Sequence, residues 1–391
     1  MTNHEYKIAF ISSSDHLDKK AWSGSINNIY KSLNKHFGKV EAFGPYTPKS
    51  AMFIGKVIHW FCLTFLKKRF DFRRSILVSK AYASYFEKKL KNKQFDFIVA
   101  PAASTEIAFL KTNIPIVYIS DSTVKASLNY HKALSNLIKF SEKQAINIET
   151  KALNKSTINA LTSPWAINSA INDLNISTKK MLLLPFGANL KNPPNKELIL
   201  NKTKSNTCKL LFIGVYWENK GGCIAYNTLI KLLEMGIEAE LTICGCIPPE
   251  KYKHEKITVI PFLNKNIKEE EEKLYSLYEQ ANFLILPTRF EAYGLVFCEA
   301  SAYGVPSLAT NTGGVSGVIT EGKNGYLFQY NDLGDGYSNK IKEIWMNDEA
   351  YKQLSLSCRE EYETRLNWDS WAQKLQEKLS ELSILPSEPN I

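Results

Sequence analysis

No Asp-x-Asp pair occurs anywhere in the 391 residues, so the usual carboxylate couple for a divalent cation on a nucleotide diphosphate is missing. The seven cysteines offer no substitute: their number is odd, and Cys244-Gly245-Cys246 is wrongly spaced for a zinc knuckle or redox pair. With Cys223, Cys244 and Cys298 in apolar runs, reduced core thiols are the expectation. No Cys/His finger spacing, Gly-rich RNA-binding core or zipper beside a basic helix is present, which argues against nucleic acid as a partner. Secretion is not expected, because Met1-Thr2-Asn3-His4-Glu5-Tyr6-Lys7 runs straight into strand-like Ile8-Ala9-Phe10-Ile11. A cytoplasmic location is therefore expected. Gly and Pro, at 19 and 15, are too few for a collagen-like chain, and 44% hydrophobic content excludes a disordered one. At this length the chain should form two domains.

Acidic residues are scarce in the first half. Residues 1–195 hold 28 Lys and Arg against 12 Asp and Glu, or +16, while the rest hold 21 against 27, or −6. An anionic partner is expected on the basic half, whether nucleic acid, an acidic membrane face or a phosphorylated acceptor, and with no nucleic-acid module legible a membrane surface is the better candidate. Met52-Phe53-Ile54, Val57-Ile58, Trp60-Phe61-Cys62-Leu63 and Phe65-Leu66 form an apolar segment interrupted by Lys56 and His59. It is too short and too charged to span a bilayer, which needs about 20 clean apolar residues. Lys67-Lys68-Arg69 and Arg73-Arg74 follow it. Two readings stand: a helix packed into the first domain with an exposed basic end, or a patch lying in a lipid interface.

Strand-like runs alternate with helix-length segments. Strands are expected at 8–11, 95–100, 116–119, 158–162 and 181–184, with helices such as 26–37 and 130–151 between them. The polar stretch 191–207, with Pro193-Pro194, reads as a connection. A second series follows, with strands at 209–213, 239–244, 256–260, 283–286 and 307–309 and helices near 222–235, 269–280 and 295–303. The fold class is thus α/β, as two Rossmann-like doubly wound domains expected to face each other across a cleft.

Three loops carry candidate chemistry. Trp22-Ser23-Gly24-Ser25 opens a helix, a weak phosphate signal on its own. Gly214 ends a strand and leads through Lys220-Gly221-Gly222 into a helix, a cationic cradle for phosphate. Then the strand 283–286 runs into Arg289-Phe290-Glu291-Ala292-Tyr293-Gly294-Leu295, with Glu299 on the helix that follows. Glu299 should lie about 7 Å along that helix at ~1.5 Å per residue, with Glu291 left at its mouth. A sugar nucleotide suits this layout, with diphosphate on the helix start, ribose on Glu299 and the transferred sugar on Glu291.

These residues, with Glu299-Ala300-Ser301-Ala302-Tyr303-Gly304-Val305-Pro306, Thr312-Gly313-Gly314, Gly322-Lys323-Asn324-Gly325 and Leu184-Pro185-Phe186-Gly187, resemble the retaining GT-B glycosyltransferases of family four, also called group 1. The resemblance runs over nearly the whole chain. It implies a GT-B architecture with an acceptor-side domain at 1–190, onto which a C-terminal helix 367–391 packs back, and a nucleotide-sugar domain at 191–366. It further implies that Glu291 holds the donor sugar, that Tyr293, Gly294 and Leu295 supply backbone donors, and that Glu299 takes the ribose. Lys220 matches the phosphate lysine, although Val215 and Tyr216 stand where an arginine usually precedes it. Gly24 matches the loop glycine near the donor phosphate, and Phe262-Leu263 the stretch that meets the base. Asp121 falls near where many relatives place a histidine, and either positions the acceptor or caps a turn.

The activity so implied is that of a hexosyltransferase-type enzyme of class EC 2.4, retaining and independent of metal and cofactor, with a UDP-, GDP- or ADP-sugar as substrate. Its acceptor is expected to be a lipid-linked or surface-polysaccharide intermediate of lipopolysaccharide, O-antigen or capsule, met peripherally at the inner face of the cytoplasmic membrane. The alternatives are a soluble small-molecule or protein acceptor, a GT-B epimerase or phosphorylase, and a non-catalytic nucleotide-sugar-binding or membrane scaffold.

Overall fold

The computed structural model describes residues 5–200 and 204–382. The chain divides into two compact units, one running to Leu184 and resuming at Trp371, the other covering Pro185–Ser370. Sequence reading put the borders at 190/191 and 366/367. The difference arises because Phe186 stacks on Trp368 at 5.7 Å. Ala188 N–H also donates to Leu366 O at 2.8 Å, and the Trp368 indole to Asn189 Oδ1 at 3.2 Å, so both connecting segments belong to the second unit.

The first unit is built on β1 (Tyr6–Phe10), β2 (Gly38–Ala42), β3 (Phe97–Pro101), β4 (Ile116–Ser120), β5 (Ile158–Leu161) and β6 (Met181–Leu183), all parallel in the order β2-β1-β3-β4-β5-β6. The inner strands read as unbroken apolar runs because helices cover both faces; every residue of β3 and β4 is buried. The first long helices of this unit are α1 (Ser25–His36), α2 (Lys49–Phe65) and α3 (Ile76–Leu90). The helix expected at 130–151 instead runs Lys139–Lys155. Asn129 and Asn136 adopt positive φ and break the earlier part, leaving a short turn of helix at Lys132–Leu134. Trp371, Leu375 and Leu379 bury one face of the last helix, Trp368–Glu381, and Gln376 donates to His36 O. Residues 383–391 of the expected C-terminal helix lie outside the described residues.

The second unit carries β7 (Cys208–Ile213), β8 (Ala239–Cys244), β9 (Ile257–Ile260), β10 (Phe283–Leu286), β11 (Ser307–Thr310) and β12 (Gly325–Phe328), parallel in the order β12-β11-β10-β7-β8-β9. Read from β9, this is the 3-2-1-4-5-6 order of dinucleotide-binding folds. β2 and β12 were not anticipated. Each is an edge strand with one buried residue, Val40 and Gly325, so neither shows the apolar run that marks its neighbours. All seven cysteines are free thiols, and burial pushes Cys298 up to about 12 and Cys244 to about 11.

Candidate active site

In a doubly wound sheet, ligands collect outside the strand carboxyl ends where the winding reverses. In the second unit that point lies between β7 and β10. The loop after β7 brings Lys220 there, and the loop after β10 brings Glu291, so the two chemistry-bearing motifs converge on one crevice.

Several bonds fix the loops against each other. Arg289 N–H donates to Asn219 O at 2.8 Å, and the Thr288 hydroxyl reaches Asn219 O at 3.2 Å and Phe290 O at 2.7 Å. Gly221 is required where they cross. Its φ is +71°, and a Cβ there would stand 2.0 Å from Pro287 O. Lys220 Nζ then pairs with Glu291 Oε2 at 2.5 Å, with both side chains partly exposed. Two helices start beside them, Gly222–Glu234 after Gly221 and Leu295–Ala302 after Gly294, and neither first turn is capped by a side chain. Their N–H groups and the lysine give the crevice the positive character that suits a diphosphate.

Glu299 lies inside the second of these helices and is only 2% exposed. Its oxygens are already engaged: Lys265 Nζ meets Oε1 at 2.5 Å, and the Tyr278 phenol donates to Oε2 at 2.7 Å. Burial, with Glu299 beside it, holds the Tyr278 phenol well above its ordinary value. Lys265 escaped sequence reading, and no local pattern marks it, since the spacing to Glu299 is set by the fold. Phe262 follows β9 and is exposed, with Leu263 half-buried beside it. The Tyr293 side chain faces inward, donating its hydroxyl to Phe186 O at 2.8 Å, so only its backbone remains available as a donor. Arg289, also missed, lies over the Tyr330 ring at 3.8 Å with Nη1 buried and unbonded. Its place two residues before Glu291 was the available signal.

In the first unit the loop after β1 ends in three successive left-handed residues, Trp22, Ser23 and Gly24, with φ of 48°, 55° and 89°. Such backbone in two non-glycine residues persists only where the surroundings hold it. Asp121, one residue beyond β4, does so by accepting a bond from the Trp22 indole at 3.0 Å. Thus Asp121 is tied to the loop that carries Gly24, while Lys220, Glu291 and Glu299 belong to the other unit. Among the described residues, no group of three or more His, Cys, Asp or Glu is placed to hold a metal ion, and no helix is long and apolar enough to cross a membrane.

Residues 207–347 match the family model for glycosyl transferases group 1. The chain is similar to a D-inositol 3-phosphate glycosyltransferase of Corynebacterium diphtheriae, 22% identical over 70% of this chain and 66% of that one. Matched stretches span between about a quarter and two thirds of the length of such curated relatives. Among solved structures it resembles sucrose-phosphate synthase from Thermosynechococcus elongatus, with a TM-score of 0.67, 18% identity and coverage of 97% and 99% of the two chains. It also resembles WaaG, a glycosyltransferase involved in lipopolysaccharide biosynthesis, with a TM-score of 0.60, 14% identity and coverage of 97% and 100%. Two six-stranded parallel sheets, the β7/β10 crevice and the two structural likenesses lead to one assignment: the chain has the GT-B fold, and its residues 207–347 match glycosyl transferases group 1.

Proposed function

We propose that the protein transfers a sugar, with retention at the anomeric carbon and without a metal, from a UDP-, GDP- or ADP-sugar to an anionic lipid-linked intermediate of a bacterial surface polysaccharide. The observation that carries this is the Lys220–Glu291 pair at the reversal point of the second sheet, beside two uncapped helix starts. Lys220 and the N–H groups after Gly221 and Gly294 hold the diphosphate and offset the charge that grows on it as the glycosidic bond breaks. Glu291 accepts from the sugar hydroxyls, Glu299 with Lys265 takes the ribose, and Phe262-Leu263 meets the base. The acceptor oxygen attacks C1 on the face the phosphate leaves, and its proton passes to the departing phosphate oxygen. Glu291 is a binding group in this scheme, not a nucleophile. Asp121 acts through Trp22 on the Gly24 loop and positions it. The basic first half and α2 support an acceptor at the inner face of a membrane.

The test incubates the protein with UDP-, GDP- and ADP-sugars, with and without a bacterial lipid extract, and follows nucleotide release. Release with one donor that rises with lipid is expected. Conversion of the donor sugar without transfer would show an epimerase, release driven by phosphate a phosphorylase, and binding without turnover a silent nucleotide-sugar binder.

A further inference from the structure

α2 is turned inside out. Its contact with the first unit runs along Ala51, Gly55, His59 and Cys62, a seam of small and polar residues at i, i+4, i+8 and i+11. Gly55 packs so closely that a Cβ would stand 2.5 Å from that of Phe72, and His59 Nδ1 meets Phe70 O at 2.7 Å. The large side chains point the other way. Phe53, Val57, Trp60 and Phe61 form the outward ridge, flanked by Ile54, Ile58 and Phe65; Phe53 is 68% exposed, Trp60 and Phe65 62% each. A soluble helix normally buries such residues and exposes the others. So large a contiguous apolar surface marks a contact with something else.

Charge identifies the partner. No acidic residue occurs between Glu41 and Asp71, and Lys49 and Lys56 lie along one flank of the ridge. The exposed Lys67 and Lys68 extend it where α2 ends. Backbone bonds from Arg69 N–H to Asn136 O and from Ile138 N–H to Arg69 O join that end to a second segment, which carries Lys139 and the exposed Phe140. The basic cluster is smaller than the sequence suggests. Arg69 donates to Lys132 O at 2.6 Å and Arg74 pairs with Asp71 at 2.9 Å, so both serve the fold, leaving Lys67, Lys68 and Arg73 facing solvent.

We infer that α2 and the basic shelf at its C-terminal end form a membrane-docking surface, with α2 lying flat in the interface of an anionic bilayer and its Phe53–Val57–Trp60–Phe61 ridge among the acyl chains. An apolar ridge beside cations supplies the two signals that reversible interfacial binding needs. This rests on the reading of a membrane-linked acceptor, but vesicle binding is measured without sugar transfer, so each can fail alone.

The experiment co-sediments the full chain with vesicles of phosphatidylcholine alone or with phosphatidylglycerol. Binding is expected only with the anionic lipid, weakening as salt rises. Phe53→Ser with Phe61→Ser should remove it by an order of magnitude or more, and Lys67→Gln, Lys68→Gln and Arg73→Gln together by on the order of 100-fold. These ridge side chains are exposed, so the variants should keep the wild-type circular dichroism and donor turnover. Brominated lipid should quench wild-type tryptophan fluorescence more than that of Trp60→Phe. Equal recovery in the supernatant with both vesicles at low salt overturns the inference, as does binding indifferent to the ridge substitutions. A dimer in sedimentation velocity that the ridge variant dissolves, without vesicle binding, overturns it in favour of a second copy of the chain.

Discussion

The two units share a parallel doubly wound sheet yet treat charge in opposite ways. In the second, Lys220 with Glu291 and Lys265 with Glu299 set cation against carboxylate at 2.5 Å in each case, beside glycine-linked helix starts. In the first, carboxylates sink into the fold. Glu149 is 3% exposed and accepts from Val124 N–H, and burial pushes it up to about 7 although Arg74 pulls it down; burial also raises Glu106. Asp121 holds an indole, and Lys67, Lys68 and Arg73 stay exposed beside an apolar ridge. On the proposed function, one unit takes a compact, highly charged ligand of fixed geometry. The other presents an extended surface whose chemistry is spread over many residues.

The largest effect should come from Lys220→Ala, which removes the cation from the crevice. A loss of about 10²–10³-fold in kcat is expected in steady-state nucleotide release, the usual consequence of deleting one preorganised donor at a leaving group. Glu291→Gln should follow. Weakening a charge-assisted bond to the sugar costs ~1.5–3 kcal/mol, here expressed in turnover with nucleotide affinity nearly unchanged. Glu299→Gln should show the reverse split, a higher Kd by calorimetry and a retained kcat. If both carboxylates changed the same parameter, the division of labour between mouth and helix would be wrong.

What separated the two units in the sequence is what separates them in chemistry. Lys220, Glu291 and Glu299 sit in or beside short strand–glycine–helix stretches, so their positions in the fold were legible from local sequence. Lys265 was not, because it reaches Glu299, 34 residues on, from the loop between β9 and helix Lys268–Gln280. β2 and β12 were invisible for want of apolar runs, and the role of Asp121 because its partner Trp22 lies 99 residues away. The apolar run at 52–66 was plain, whereas which face of α2 turned outward depended on Gly55 fitting against Phe72.

A smaller effect tests the first unit's loop. Asp121→Ala should lower kcat/KM by about tenfold by releasing Trp22, and Asp121→Asn, which still accepts the indole bond, should restore most of it. A rate that needs the carboxylate charge would make Asp121 more than a positioning residue. The smallest expected change is in stability. Because the folded Glu149 holds its proton up to about 7, above its unfolded value of 4.5, its ionisation destabilises the fold as pH rises through that window. Thermal denaturation should show Glu149→Gln gaining on wild type at pH 8 and matching it near pH 4.

The most direct measurement compares nucleoside diphosphate with monophosphate binding, by calorimetry, in wild type and Lys220→Ala. Wild type should bind its preferred base more tightly as the diphosphate, and the substitution should erase most of that preference while leaving monophosphate affinity unchanged. An undiminished preference for the diphosphate in Lys220→Ala would contradict the placement of the donor phosphate between β7 and β10.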